Sequence, residues 1–384
     1  MYKIATLNKI SPVGLAEFND EYEIIDGAAA AEADGILVRS QDMLTMEFGE
    51  NLQAIARAGA GVNNIPLDRC AQSAIVVFNT PGANANAVKE LVIAGLFLAS
   101  RNIPAALEWA KTLEENVSKT VEKGKSQFAG HEIAGKTLGV VGLGAIGRKV
   151  AESAQALGMK ICGYDPFVAE SDQFTVYTDL KEMLPQCDYI TIHVPATDST
   201  KGMFNADLLA CAKDGAVLLN FSRDKLVNDV DLLAALETGK ISQYVTDFPN
   251  DALVDKANVI LLPHLGASTE EAEDNCATMA VKQMRDYLEN GNIINSVNFP
   301  KVDMGPMGEN VRLAFFVKDT ENPVMDITVK LSAVLGEKGI AVKKISGGMK
   351  GDYGYVLVET DATEAPELNF EDDEMIVEYI ELVK

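Results

Sequence analysis

The chain has 384 residues, 47% of them hydrophobic and 23% charged, the make-up of a folded protein with room for two or three domains. A formal charge of −24 and a pI near 4.5 argue against a nucleic-acid surface and against a polybasic membrane patch. Its five cysteines stand apart from one another, which argues against a disulfide framework or a metal site, and the N-terminus lacks the basic and apolar segments of a leader, so a reduced, cytoplasmic protein is expected.

Residues 1–98 read as a small α/β region. Short apolar runs at 4–7, 35–39, 54–58 and 75–79 alternate with polar or helical stretches, the rhythm of a parallel sheet. Arg39, followed by Ser40, and Arg57, followed by the turn that contains Ala60, Gly61 and Val62, fall at strand ends. Ligands of open α/β sheets bind beyond the carboxyl ends of strands, and a guanidinium there suits a carboxylate or phosphate. A surface ion pair is the alternative for either arginine. The turn-rich crossover at 79–86 offers Asn84 for substrate contact, and a long apolar helix follows to residue 100, with Pro104 marking its kink or end.

The stretch from Lys136 to Arg148 organises what comes next. Residues 138–141 form a short buried-strand run, and Gly142, Gly144 and Gly147 then carry the G-x-G-x-x-G spacing where a helix must begin. The first glycine permits the turn, the second lets backbone N–H groups near Ala145 and Ile146 approach a pyrophosphate, and the third lets helix and strand pack closely. Asp165 ends the following strand about 20 residues on, placed to accept from ribose hydroxyls and to repel a 2′-phosphate, so NAD rather than NADP is expected.

Further strands at 189–194, 216–220, 243–247 and 259–262 end in polar residues. His193, with Val194 and Pro195, reads as structural or cofactor-adjacent. Arg223 follows one strand, Asp247 ends the next, and His264 follows the last. Hydride transfer from a hydroxy acid needs a cation for the carboxylate, a group to move the hydroxyl proton and an acid to support that group. Arg223 and His264 meet the first two needs. The residues alone leave the acid open; Asp247 is placed at its strand end to accept from a nicotinamide amide. Residues 292–300 read as a last strand returning to the first region and 304–308 as a linker. The remainder is a small β-α-β-β type unit whose first strand alternates Val311, Leu313, Phe315 and Val317 as a half-buried strand. The acids between Glu364 and Glu374 read as a solvated face.

The glycine-rich turn, His193-Val194-Pro195, Asn220-Phe221-Ser222-Arg223, residues 258–269 and Asn295-Ser296-Val297-Asn298 together resemble the D-isomer-specific 2-hydroxyacid dehydrogenases. The resemblance implies an α/β fold of two doubly wound parallel-sheet domains, a Rossmann-type NAD domain (99–275) inserted in a flavodoxin-like substrate domain (1–98 and 276–303), plus a C-terminal α+β ACT-like regulatory domain (308–384). It implies NAD as cofactor and a homodimer or higher homo-oligomer. It also implies oxidation of 3-phosphoglycerate, with Arg223 on the carboxylate, His264 as acid/base, the loop 59–62 on the substrate and a phosphate near Arg39 and Arg57. Other D-2-hydroxyacid dehydrogenases, such as a glycerate or hydroxypyruvate reductase, and an NAD-sensing interaction protein are the alternatives. Asp224 stands where the family usually has glycine, and the segment after Asp247 is shorter than the family's, so the resemblance implies Asp251 in place of the family's glutamate as the acid beside His264. The alternative is that Asp251 is a solvated loop acid and His264 is paired with another acid or with none. Asn322-Pro323-Val324 lacks the glycine of serine-binding ACT sites, so weak serine inhibition is expected.

Overall fold

A computed structural model describes residues 1–370 and 373–384; Glu371 and Asp372, within the expected acidic face, lie outside the described residues. The chain forms two compact units, residues 1–84 with 273–384 and residues 85–272.

In the first unit, β1 (Tyr2–Thr6), β2 (Tyr22–Asp26), β3 (Gly35–Val38), β4 (Ala54–Arg57) and β5 (Val76–Phe78) make a parallel sheet of order β2-β1-β3-β4-β5, the flavodoxin-like arrangement. Sequence reasoning missed β2. It is an edge strand with only Tyr22 buried, so it carries no apolar run to read. The strand expected at 292–300 makes only isolated bridges. There the Asn298 side chain does a strand's work along β5, accepting from Val77 N–H at 2.9 Å and donating to the Ile75 carbonyl at 2.8 Å.

The second unit holds β6 (Thr137–Val141), β7 (Lys160–Tyr164), β8 (Thr175–Tyr177), β9 (Tyr189–Ile192), β10 (Ala216–Asn220), β11 (Ile241–Thr246) and β12 (Val259–Leu261). They form a parallel sheet of order β12-β11-β10-β9-β6-β7-β8, doubly wound with its reversal between β6 and β9. The helix Ala85–Ser100 belongs here, so the dividing line falls at 84/85 and not at 98/99. Its Val88, Val92, Leu96 and Ala99 share a core with Val140, Leu219, Phe221 and Val245. The five cysteines are free thiols; Cys162 and Cys187 place their sulfurs 3.4 Å apart in this unit's core. Among the described residues no single helix is long and apolar enough to cross a membrane.

The C-terminal stretch adds β13 (Arg312–Lys318), the helix Pro323–Glu337, β14 (Val342–Lys350), β15 (Tyr353–Thr360) and β16 (Ile376–Leu382), an antiparallel sheet of order β14-β15-β13-β16 compatible with an ACT-like domain. It is part of the first unit. Leu313, Phe315 and Val317 pack with Ile327, Leu331 and Leu335 of the helix. Ala314 and Phe316 face the other way, into one cluster with Tyr287, Leu288, Ile293 and Phe299. β13 is therefore buried on both faces, not half-buried as its alternation suggests, because small and aromatic residues fill the intervening positions. Residues 304–308 are not a free linker. Arg312, 1% exposed, donates to the carbonyls of Asn290 and Gly305 at 2.9 and 2.7 Å and pairs with Glu359 at 2.8 Å. With the carbonyls of Met304 and Pro306, four backbone oxygens and a carboxylate surround this buried guanidinium, which makes removal of any partner expensive.

Candidate functional site

The second unit's site begins at the carboxyl end of β6. Gly142 has φ +98, and a Cβ there would stand 2.5 Å from the His193 carbonyl oxygen, so the turn passes under the end of the neighbouring strand. A Cβ on Gly147 would lie 1.9 Å from the Gly142 carbonyl oxygen, which only glycine avoids. Gly144 is different: a Cβ there would meet nothing within 4 Å. It opens the helix Ala145–Ala156, whose first turn no side chain caps. The free N–H groups of Ala145 and Ile146 and the open space over Gly144 are a cradle for an anion. Asp165 closes one side. Its two carboxylate oxygens accept from Leu143 and Phe167 N–H, each at 2.8 Å, which fixes the group while leaving lone pairs for ribose hydroxyls. These features fit a dinucleotide.

His193 bonds the Thr191 hydroxyl at 2.9 Å through Nε2, and its buried Nδ1 has no partner. Burial pushes its pKa down to about 3, so the ring is neutral near pH 7 and takes no part in proton transfer there. Its backbone closes on Gly142, with Val194 partly buried beside it, and the Pro195 carbonyl accepts from Thr200 at 2.6 Å.

Three adjoining strands, β10, β11 and β12, are followed by Arg223, Asp247 and His264 respectively. The Asn220 amide donates to the Arg223 carbonyl at 2.8 Å and fixes the turn on which that arginine sits. Asp247 is 1% exposed. Its Oδ2 accepts from Gly266 N–H at 2.8 Å, while its buried Oδ1 has no partner. Burial raises its pKa; the Gly266 N–H and the positive charges of His264 and Arg223 act in the opposite direction. His264 has φ +47, its N–H donates to the Asp247 carbonyl at 2.8 Å, and its exposed ring lies against Phe248 with centroids 4.8 Å apart. The structure does not bring Asp251 to that ring. Asn250 accepts from Ala252 and Leu253 N–H and donates to Asp229, and this tight turn leaves Asp251 exposed. The buried acid beside His264 and Arg223 is Asp247. Sequence reasoning missed Phe248, although its place right after Asp247 was the available signal.

The first unit collects the other expected residues at the ends of β3 and β4. Asn8, also missed, accepts from the N–H groups of Arg39, Ser40 and Gln41 at 3.0, 2.9 and 3.0 Å, which sets the turn after β3. Arg39 pairs with Glu273 at 2.6 Å. Arg57 donates from Nε to the Arg39 carbonyl at 2.9 Å, and its guanidinium lies over Gly59, where a Cβ would come within 2.3 Å. Beyond it, no described residue accepts from the backbone N–H groups of Ala60, Gly61 and Val62, a run of free donors beside two cations. The Asn79 amide holds the Ala60 carbonyl at 2.7 Å. Asn84, half-buried, ends the turn at 80–84.

Residues 93–266 match the family described as D-isomer specific 2-hydroxyacid dehydrogenase, NAD binding domain. D-3-phosphoglycerate dehydrogenase of Methanocaldococcus jannaschii is 33% identical over 357 residues, covering 89% of this chain and 66% of the relative. The Synechocystis enzyme of the same name is 38% identical over 312 residues, 77% of this chain and 54% of the relative. The chain thus spans about half to two thirds of the length of these curated relatives. Among solved structures, NAD+-bound 3-phosphoglycerate dehydrogenase of Entamoeba histolytica has a TM-score of 0.63 at 28% identity and covers 77% of this chain and 98% of that one. An NADPH-dependent glyoxylate/hydroxypyruvate reductase of Sinorhizobium meliloti has a TM-score of 0.68 at 26% identity, with coverages of 77% and 98%. With this turn, these strand ends and these relatives, the chain belongs to the D-isomer-specific 2-hydroxyacid dehydrogenase family.

Proposed function

We propose that the chain oxidises 3-phospho-D-glycerate to 3-phosphohydroxypyruvate with NAD, the entry to L-serine synthesis, as a cytoplasmic enzyme. The observation that carries this is the run of Arg223, buried Asp247 and His264 at the ends of three neighbouring strands. Bound NAD would supply the acceptor for the hydride that leaves the substrate's C2. Gly144, Ala145 and Ile146 would hold its pyrophosphate and Asp165 its ribose hydroxyls. Arg223 orients the substrate carboxylate and polarises the C2 oxygen. His264 takes the hydroxyl proton, and the negative Asp247 nearby favours the imidazolium that results. The open Oδ1 of Asp247 would also be an acceptor for the nicotinamide amide. Arg39 and Arg57 take the phosphate, the free N–H groups of Ala60, Gly61 and Val62 add donors, and Ser40 and Asn84 line the substrate side.

A steady-state assay with 3-phosphoglycerate, D-glycerate and glyoxylate, each with NAD(H) and NADP(H), tests the reading. We expect 3-phosphoglycerate with NAD to give the highest kcat/KM. A preference for glyoxylate would install the second reading, a non-phosphorylated 2-hydroxyacid dehydrogenase, which the Arg39–Glu273 pair favours because it already neutralises one arginine. No turnover with any pair would leave an NAD-sensing protein.

Homo-oligomerisation is part of the proposal. Helices Ile103–Lys111 and Val117–Gly124 contain no buried residue although they carry Leu107 and Val117, 55% and 47% exposed. An apolar segment of this size without a core is suited to a second copy of the chain.

A further inference from the structure

Beside the turn that follows β5, the first unit contains a cavity of about 570 Å³ that none of these roles uses. Its floor is one face of the helix Glu270–Asn290, along which Asn275, Thr278, Met279, Lys282, Gln283 and Asp286 recur at spacings of three and four. Gly82 and Ala83 form one wall, and Ile294, 36% exposed, forms another.

Three polar groups on that face are incompletely satisfied. Gln283 is 6% exposed; its Nε2 donates to the Asn79 carbonyl at 3.0 Å, but its buried Oε1 has no partner. A buried amide oxygen without a donor is costly and leaves this part of the helix face poorly satisfied. Asp286 receives the amides of Asn290 and Asn292 on Oδ1 at 2.9 and 2.8 Å, and no described residue reaches Oδ2. Lys282, one turn earlier, has only an exposed contact to Glu17 at 3.3 Å, the kind of pair that holds a side chain weakly. Lys282 and Asp286 do not pair with each other. A cation acceptor and a cation therefore share one helix face a turn apart, beside the apolar surfaces of Met279, Ala83 and Ile294.

We propose that this cavity binds a free neutral α-amino acid with an apolar side chain. Its ammonium donates to Asp286 Oδ2, its carboxylate accepts from Lys282 and the Thr278 hydroxyl, and its side chain covers Met279 and Ile294. The position has a consequence for the unit itself. Ala83 is followed by Asn84, the last residue before the chain leaves this unit, and Glu273, where it re-enters, precedes Asn275. A bound amino acid ties the exit turn to the re-entry helix.

Isothermal titration calorimetry of the full chain with L-valine and L-methionine, and with the corresponding carboxamides, tests this. We expect saturable binding of at least one acid and none of its carboxamide. Asp286→Asn and Lys282→Met should each weaken binding roughly tenfold or more while leaving the melting temperature near wild type, since neither side chain is fully buried. Absence of saturable heat with both acids would overturn the proposal, as would an affinity unchanged in both variants. The readout is binding, so it stands whether or not the chain turns over 3-phosphoglycerate.

Discussion

The two parallel sheets present charged groups at their carboxyl ends in opposite conditions. At the five-stranded sheet the cations are already committed: Arg39 to Glu273, Arg57 to a backbone carbonyl, and the turn after β3 to Asn8. At the seven-stranded sheet Arg223 also gives an N–H to a backbone carbonyl, that of Ser222 at 2.6 Å, but His264 has no hydrogen bond on its ring among the described residues and Asp247 keeps an unpartnered buried oxygen. A committed group holds a ligand in place at little reorganisation cost, whereas an uncommitted one is available to change partner or proton during a reaction. The first sheet should accordingly govern affinity and the second turnover.

The largest expected effect tests that division directly. His264→Gln should lower kcat for 3-phosphoglycerate roughly 10²- to 10⁴-fold, the usual share of a general acid/base, with KM little changed. Asp251→Asn should leave kcat within twofold, since that side chain is exposed. A collapse of kcat in Asp251→Asn would return that residue to the mechanism.

Arg57→Ala should act on the other parameter. Loss of a charge-assisted contact worth roughly 1.5–3 kcal/mol should raise KM for 3-phosphoglycerate by one to two orders of magnitude and spare non-phosphorylated substrates. Equal losses on both classes would mean that the variant damages the turn over Gly59 instead.

Within the glycine-rich turn, stability and binding should separate. Gly147→Ala forces a Cβ against the Gly142 carbonyl and should cost about 1–3 kcal/mol in chemical denaturation. Gly144→Ala has free space and should leave stability alone while raising the dissociation constant for NAD. Equal melting temperatures for wild type and Gly147→Ala would refute the close contact.

The last effect is a pH slope. His193 has a folded pKa of about 3, below the ordinary histidine value, so between roughly pH 6.5 and 3 the unfolded chain binds the extra proton. Stability should therefore fall with pH across that window, at a slope of up to about 1.4 kcal/mol per unit from this residue. His193→Gln should flatten the acid limb of a denaturation series, and an unchanged limb would show the ring accessible to protons when folded.

The glycine turn, Asp165 and the strand ends carrying Arg223 and His264 were legible because each pairs a residue type with a fixed local geometry. The acid near His264 was not. Asp247 and Asp251 are close in sequence, and only the cap made by Asn250 decides which is buried and which faces solvent. β2 escaped for a related reason, since an edge strand buries too little to leave a pattern. The double burial of β13 escaped because Ala314 and Phe316 read as the other half of an alternation until something covers them.

That double burial bears on the order in which the chain can fold. Emerging from the ribosome, residues 85–272 complete a compact unit, so this unit can form as soon as residue 272 is free. The five-stranded sheet has by then been synthesised, yet the cluster that includes Phe78 awaits Tyr287, Phe299, Phe316 and Tyr355, made later. β1 to β5 therefore stay exposed longest, and residues made after 272 close the core that they begin.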